Sequence, residues 1–167
     1  MKTIAFHVSS RTGNTRKIAE AARQRMEEFG WTIEEVTPGK PVESELVAVF
    51  FWCFKSSFDP ISLALVQSLE GKRILAFGTM GGYPDSPYAA RVLGKVTADI
   101  GDRNTLEGLF LSQGKVRADN IEKRRQLPED DPHHLDDAGV ARVLESQKHP
   151  NEQDLARAVA FVDEHLG

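Results

Sequence analysis

Short apolar runs alternate with stretches of helical periodicity through the first two-thirds of the chain. Thr3-Ile4-Ala5-Phe6-His7-Val8 reads as a buried strand. From about Asn14 to Phe29 the apolar residues Ile18, Ala22, Met26 and Phe29 recur three and four apart, which predicts an amphipathic helix, and Gly30 is placed to end it. Trp31 to Val36 predicts a second strand. Leu46 to Trp52 predicts a third, apolar at every position and therefore central in its sheet. Residues 60–69 read as a helix, Arg73 to Phe77 as a fourth strand, Pro87 to Ile100 as a helix with Pro87 near its start, and Thr105 to Leu111 as a fifth strand. Strands alternating with helices predict an α/β chain with a parallel sheet covered on both faces by right-handed crossovers.

Residues 115–150 break the rhythm. They mix seven Lys/Arg with eight Asp/Glu, carry Pro128, Pro132 and Pro150, and show no strand signal. Short helices are expected at 119–127 and 136–147, opened by Asp119 and Asp136 as caps. Over 152–166 a last helix sets Leu155, Ala158, Val159, Val162 and Leu166 on one stripe, suited to packing on the sheet. No internal repeat is present.

Composition narrows the class. The 167 residues suit one domain spanning 1–167, and 40% hydrophobic content fills a single core. A formal charge of −4 argues against a nucleic-acid surface and leaves room for attraction to a basic partner protein. One cysteine, Cys53, excludes an internal disulfide and fits a reducing compartment. The apolar run from Met1 to Val8 is too short for a signal peptide, and no stretch reaches the roughly 18 apolar residues of a membrane span, so a cytoplasmic protein is expected.

The chemistry concentrates after the first strand, in Ser9-Ser10-Arg11-Thr12-Gly13-Asn14-Thr15, which opens a helix. Hydroxyls at Ser10, Thr12 and Thr15, a glycine at 13 and a helix N-terminus behind them suit a phosphate. Backbone N–H groups and the helix dipole favour the anion, and hydroxyls add donors. Gly13 lets the backbone approach closely. A Walker loop would need Gly-Lys-Ser/Thr, and a dinucleotide fingerprint three spaced glycines; this loop has one glycine.

Ser10-x-Thr12-Gly13-Asn14-Thr15 after an apolar strand resembles the FMN phosphate loop of the flavodoxin family. The resemblance implies a flavodoxin-like three-layer sandwich, a five-stranded parallel sheet of order 2-1-3-4-5, and FMN held without covalent bonds at the switch between strands one and three. It also implies that two further loops meet the flavin ring. They are Trp52-Cys53-Phe54-Lys55-Ser56-Ser57 after strand three and Thr79-Met80-Gly81-Gly82-Tyr83 after strand four. Within them Trp52 and Tyr83 are candidates for ring contact, as planar side chains that shield the flavin from water. The implied cofactor-binding set is therefore Ser10, Arg11, Thr12, Gly13, Asn14, Thr15, Trp52, Cys53, Phe54, Lys55, Thr79, Met80, Gly81, Gly82 and Tyr83. Arg11 is unusual for such a loop and points either to the phosphate or to solvent. Ser112-Gln113-Gly114-Lys115 and His149-Pro150 are similar to a small subgroup of flavodoxin-family proteins, some of which accompany bilirubin-reducing enzymes.

One departure stands out. In that family a glycine after strand three often lets a peptide turn over as the flavin gains an electron. Residues 53–58 are Cys-Phe-Lys-Ser-Ser-Phe, so a residue other than glycine, Ser56 by position, would have to take a positive φ at about 1–2 kcal/mol. The resemblance then implies a one-electron-reduced flavin less stabilised than in glycine-containing relatives.

The function implied is an FMN electron carrier serving redox partner proteins. The alternative on the same fold is an FMN-dependent NAD(P)H:quinone-type oxidoreductase, a class with longer loops after strand four than the short Thr79–Pro87 segment here. A phosphoacceptor receiver domain would need carboxylates after strand one and an Asp ending strand three, where this chain has Ser9-Ser10 and Phe51-Trp52. FMN is expected over FAD because no second nucleotide fingerprint is present. His133-His134 beside Asp136-Asp137 lacks the i, i+4 spacing of helix metal ligands and reads as a solvated loop. His7 reads as a satisfied core residue or a neighbour of the phosphate loop, Cys53 as packing at the flavin edge, and Lys123-Arg124-Arg125 as a helix face.

Overall fold

The computed structural model describes residues 2–167. Its sheet has five strands, β1 (Thr3–Val8), β2 (Thr32–Glu35), β3 (Leu46–Trp52), β4 (Arg73–Met80) and β5 (Thr105–Gln113), in the order β2-β1-β3-β4-β5. Every pairing is parallel. The connections hold α1 (Asn14–Glu28), α2 (Pro60–Ser68) and α3 (Pro87–Ile100), and after β5 follow α4 (Ile121–Arg125), α5 (Asp137–Ser146) and α6 (Glu152–Leu166). No helix among the described residues is long and apolar enough to cross a membrane.

Alternation along the strands divides the core in two. Ile4, Phe6, Ala48, Phe50, Leu75 and Phe77 face α1 and α6, meeting Ile18, Ala22 and Met26 of one and Ala158 and Val162 of the other. Ala5, Val47, Val49, Phe51, Ile74 and Ala76 face the opposite layer, meeting Val66 of α2 and Val92, Val96 and Ile100 of α3. The apolar run of β3 is thereby explained, since both its faces are covered. Across the first core Phe50 and Phe77 stack at 4.3 Å between centroids.

Two strands run further than their apolar pattern indicates. β4 continues past Phe77 to Met80 and β5 past Leu111 to Gln113, because Thr79 pairs with Trp52 and Ser112, and Met80 with Gln113. Thr79, Ser112 and Gln113 are buried although polar, which is tolerable because each side chain has a partner. Thr79 and Met80, expected in a loop, thus belong to the sheet.

The segment after β5 is structured by caps and by polar ties to the sheet. Asp136 caps α5 as expected, accepting from the Gly139 N–H at 2.7 Å. Asp119 does not cap: α4 begins at Ile121, its N-cap is Asn120 at φ 63° with no side-chain hydrogen bond, and Asp119 pairs instead with Arg117. The short αL turn at Asn120 separates Asp119 from the helix start. α6 opens on a reciprocal capping box between Asn151 and Asp154. Gln147 Nε2 donates to the Val116 carbonyl at 2.7 Å, and Ser146 Oγ accepts from the Val116 N–H at 3.3 Å, so α5 fastens the loop that leaves β5.

Candidate cofactor site

The C-terminal ends of β1, β3, β4 and β5 deliver their loops to one edge of the sheet, where a cavity of about 130 Å³ opens beside the N-terminus of α1. Arg11, Thr12, Asn14 and Thr15 line it from the first loop, Trp52 and Cys53 from the end of β3, and Thr79, Met80 and Gly81 from the end of β4. The strand order reverses between β1 and β3, so this is the switch point at which open parallel sheets bind ligands.

The first loop is wound around one hydroxyl. Ser10 Oγ accepts from the Gly13 N–H at 3.2 Å and the Arg16 N–H at 3.3 Å, which leaves its own proton to donate elsewhere. Gly13, at φ 97°, makes the turn into α1; as the N-cap residue it brings no side chain, and of the first three helix N–H groups only that of Arg16 is met by a side chain, through Ser10 Oγ. The Asn14 and Thr15 N–H groups at this end are left open, and the helix dipole adds to their pull on an anion. Of the three candidate hydroxyls, that of Thr15 is buried against Thr79, 2.8 Å between oxygens. Thr12 is exposed at the mouth, and its hydroxyl has no protein partner among the described residues.

A buried carboxylate braces the floor. Asp59 Oδ1 accepts from the Ser9 hydroxyl at 3.0 Å and from the Ile61 and Ser62 N–H groups, capping α2. Its Oδ2 accepts from the Ser62 hydroxyl at 2.8 Å and the Trp52 N–H at 3.3 Å. Since Ser62 spends its proton on Asp59, the His7 ring 2.9 Å away must donate to it, which makes Nε2 the protonated nitrogen. His7 is thus a satisfied residue whose burial lowers its pKa against the pull of Asp59. Burial, helped by Asp59, pushes the Cys53 thiol up to about 12, so it stays protonated and unreactive.

Trp52 forms the aromatic wall. The Arg11 guanidinium lies 5.4 Å from its ring centroid, a cation–π arrangement that holds Arg11 across the mouth. Phe54 meets Trp52 edge-on at 5.9 Å, and Lys55 Nζ lies 5.4 Å from the Phe54 ring. Lys55 and Ser56 have φ of 50° and 66°, and Phe54 and Ser57 exchange both backbone hydrogen bonds, at 2.9 and 3.1 Å. Positive φ at both central residues makes this a type I′ turn built without glycine. Ser56 does adopt positive φ, and Lys55 shares the strain.

Six candidates lie outside the lining: Ser10, Gly13, Phe54, Lys55, Gly82 and Tyr83. Gly82 packs under the Tyr88 ring, and the Tyr83 carbonyl accepts from the Ser86 hydroxyl. Two lining residues are new, Gly114 and Val116 after β5. Gly114 is there for close approach, because an added Cβ would fall 2.8 Å from Asn14 Nδ2, which donates to the Lys115 carbonyl at 3.0 Å. Gln113 donates to the Gly81 carbonyl at 2.9 Å and so ties the β4 and β5 loops together. The sequence carries a signal for this loop, since a fifth parallel strand must end on the same edge as the others.

The donor set suits a phosphate joined to a planar apolar body: the open Asn14 and Thr15 N–H groups, a free hydroxyl and a guanidinium on one side, Trp52, Met80, Gly81 and Val116 on the other. A larger groove, about 1130 Å³, runs between α2 and residues 36–42. Much of its charge is already engaged, Arg23 by Glu27 and Glu35 and Lys72 by the Val42 and Ser44 carbonyls. Among the described residues no cluster of three metal-ligating side chains occurs, and His134 instead sits 2.9 Å from the Leu127 carbonyl.

Comparison with known proteins agrees with this architecture. The flavodoxin-like domain-containing protein BilS of Clostridioides difficile (strain CD3) is 30% identical over 169 residues, covering 96% of this chain and 94% of that protein. BilS of Clostridium symbiosum (strain WAL-14163) is 29% identical over 181 residues, covering 95% and 93%. Among solved structures, oxidised Flavodoxin 1 from Bacillus cereus aligns with a TM-score of 0.52 at 17% identity, over 99% of this chain and 100% of that one. The azoreductase AzrA aligns at 0.54 and 10% identity, over 98% and 100%, a likeness of fold. The flavodoxin domain family matches residues 5–163. With its 2-1-3-4-5 sheet and a hydroxyl-rich loop opening α1 at the switch point, the chain belongs to the flavodoxin family.

Proposed function

We propose that this protein is a single-domain cytoplasmic electron carrier that binds one FMN in the cavity at the β1/β3 switch point and serves redox partner proteins. The observation that carries the reading is the joining, in one cavity, of the open Asn14 and Thr15 N–H groups at the α1 N-terminus and the unpartnered Thr12 hydroxyl with the Trp52 wall. The Asn14 and Thr15 N–H groups, Thr12 and Ser10 would hold the phosphate. Trp52, Met80, Gly81 and Val116 would shield the ring from water, and Arg11 would close the mouth. FMN, when bound, supplies the electron-accepting chemistry. The residues at the β3 and β4 ends would orient it, and Asp59 fixes the Trp52 backbone from beneath.

The carrier reading is favoured over a directly NAD(P)H-reduced enzyme by the connection from β4 to α3. It is the short run Gly81–Ser86, with little chain to build a nicotinamide or quinone pocket. The assignment is tested by the absorption spectrum of the purified protein and chromatography of its heat-released cofactor. FMN is expected; FAD as the main species, or failure of the apoprotein to take up FMN in titration, contradicts it. Stopped-flow mixing with NADH or NADPH alone is expected to give no rapid bleaching, and rapid reduction would move the reading to the oxidoreductase.

A further inference from the structure

We infer that Arg11 is a latch on the ring side of the cavity: its guanidinium, laid on the Trp52 indole, holds the place of a planar ligand and must swing away before one can reach that wall. The inference rests on the proposed FMN site and states how that site admits its ligand.

The cavity as its side chains bound it holds about 130 Å³. Pockets that bury a drug-sized ligand begin at roughly 300 Å³. A flavin therefore reaches the Trp52 wall only if part of the lining moves.

Most of the lining is tied in place. Asp59 holds the Trp52 N–H, and the Cys53 N–H donates to the Thr79 carbonyl at 2.8 Å. Thr15 pairs with Thr79, and Asn14 Nδ2 donates to the Lys115 carbonyl. The Gly114 N–H donates to the Met80 carbonyl at 2.7 Å. Val116 is fastened at both backbone groups, its N–H by Ser146 and its carbonyl by Gln147.

Arg11 and Thr12 stand apart. Both are exposed, and they form the tip of a loop whose two sides, Ser10 and Gly13, are clasped by the Gly13 N–H on Ser10 Oγ. The tip can move without loosening the start of α1. Among the described residues no hydrogen bond and no carboxylate holds the Arg11 guanidinium; what places it is the Trp52 ring, 5.4 Å from its centroid. By charge Arg11 belongs with the phosphate donors, but by position it belongs to the indole. A guanidinium is planar and stacks on aromatic faces as a flat ligand does, so the two compete for one surface. A cation on an indole near solvent favours the closed state roughly two- to fivefold over the open one. The latch is thus shut most of the time and still opens readily.

The test follows flavin fluorescence in a stopped-flow instrument as the apoprotein takes up riboflavin or FMN. Riboflavin has no phosphate, and about 0.5 M salt screens the attraction of Arg11 for that of FMN. Arg11→Ala should speed association of both flavins about three- to sixfold, because the closed fraction is lost, and change dissociation by less than about twofold. In a Trp52→Leu background the same substitution should change association by less than about 1.5-fold. Unchanged association in Arg11→Ala overturns the latch. So does faster dissociation confined to FMN, which makes Arg11 a phosphate ligand. Equal acceleration with and without Trp52 also overturns it, since Arg11 then obstructs the mouth by bulk alone. Failure of the FMN reading shows separately, as no quenching of either flavin by the parent. NMR of the chain then decides the latch. Arg11 side-chain CH₂ resonances displaced upfield by the indole and restored in Trp52→Leu support it, and ordinary shifts in the parent reject it.

Discussion

The Asp59 carboxylate receives the Ser9 hydroxyl at 3.0 Å and thereby locks the end of β1 to the first turn of α2. The same carboxylate, fully buried, takes the Trp52 N–H and both the N–H and the hydroxyl of Ser62. One side chain thus fixes the relative positions of the two strands whose ends frame the candidate cavity. Asp59→Ala removes a helix cap and leaves several buried donors unmet, so it should cost about 3–4 kcal/mol in urea unfolding. Asp59→Asn, which keeps an acceptor for the cap, should cost about half of that. A loss below about 1 kcal/mol in the alanine variant would show that the donors find water or other partners.

Thr12 offers the cleaner test of the phosphate loop. Its hydroxyl lines the cavity and makes no contact that the fold depends on. Thr12→Ala should therefore weaken FMN by about 1.5–3 kcal/mol, roughly ten- to a hundredfold, through loss of one charge-assisted hydrogen bond. Riboflavin, which lacks the phosphate, should bind the two proteins alike. Parallel losses for both ligands in fluorescence titrations would mean that Thr12 shapes the loop and does not hold the anion.

How far the sequence discloses this molecule can be judged residue by residue. Strands and helices were legible wherever burial imposed a period, as in the unbroken apolar run of β3 and the stripe of α6. The far ends of β4 and β5 were not, because Thr79, Ser112 and Gln113 are polar; Thr79 and Gln113 owe their burial to partners distant in sequence, Thr15, the Gly81 carbonyl and α5, while Ser112 donates to the carbonyl of Gln113 beside it. The Asp119 cap failed for a local reason, since Asn120 turns left-handed before α4 can start. At the site, the first loop was legible from hydroxyl spacing. The different duties of its hydroxyls were not, because Ser10 binds its own loop and Thr15 binds β4. Asp59 gave no motif at all, and its role depends on three elements meeting in space.

The His149–Asp154 contact predicts a pH dependence of stability at the start of α6. His149 Nδ1 lies 2.6 Å from Asp154 Oδ2, and Nε2 lies 3.1 Å from Glu145 Oε1. Burial opposes charge on His149, but hydrogen bonds to Asp154 and Glu145 outweigh it and raise the pKa. Burial likewise opposes charge on Asp154, and the Asn151 N–H, His149 and Arg157 outweigh it and lower the pKa. The histidine's contribution is complete below its unfolded pKa, about 6.5, and fades as pH rises through the higher folded value. The aspartate's contribution is complete above about 3.9 and is lost as pH falls through its lower folded value. The stability difference between the parent and His149→Ala should accordingly be larger at pH 6 than at pH 9. Equal differences at the two pH values would show that His149 acts by packing alone.

Lys55 and Ser56 give the last prediction, since they hold a type I′ turn with side chains that disfavour it. Positive φ costs a residue with a Cβ about 1–2 kcal/mol, and both residues carry it, at 50° and 66°. Glycine at position 56 would remove that strain, at an entropic cost of about 0.5–1 kcal/mol in the unfolded chain. The Ser56 hydroxyl makes no hydrogen bond to the protein among the described residues, so nothing else is lost on substitution. Ser56→Gly should thus stabilise the fold by about 0.5–1 kcal/mol, read from the midpoint of urea unfolding with an unchanged slope. Lys55 is left in place, which preserves its carbonyl for Lys95 and its ammonium over Phe54. Because the turn stands beside the cavity and not in its lining, FMN affinity should change by less than about twofold, or 0.4 kcal/mol. If the glycine variant is instead less stable, or binds FMN much more tightly at unchanged stability, the strain belongs to cofactor binding and not to the fold.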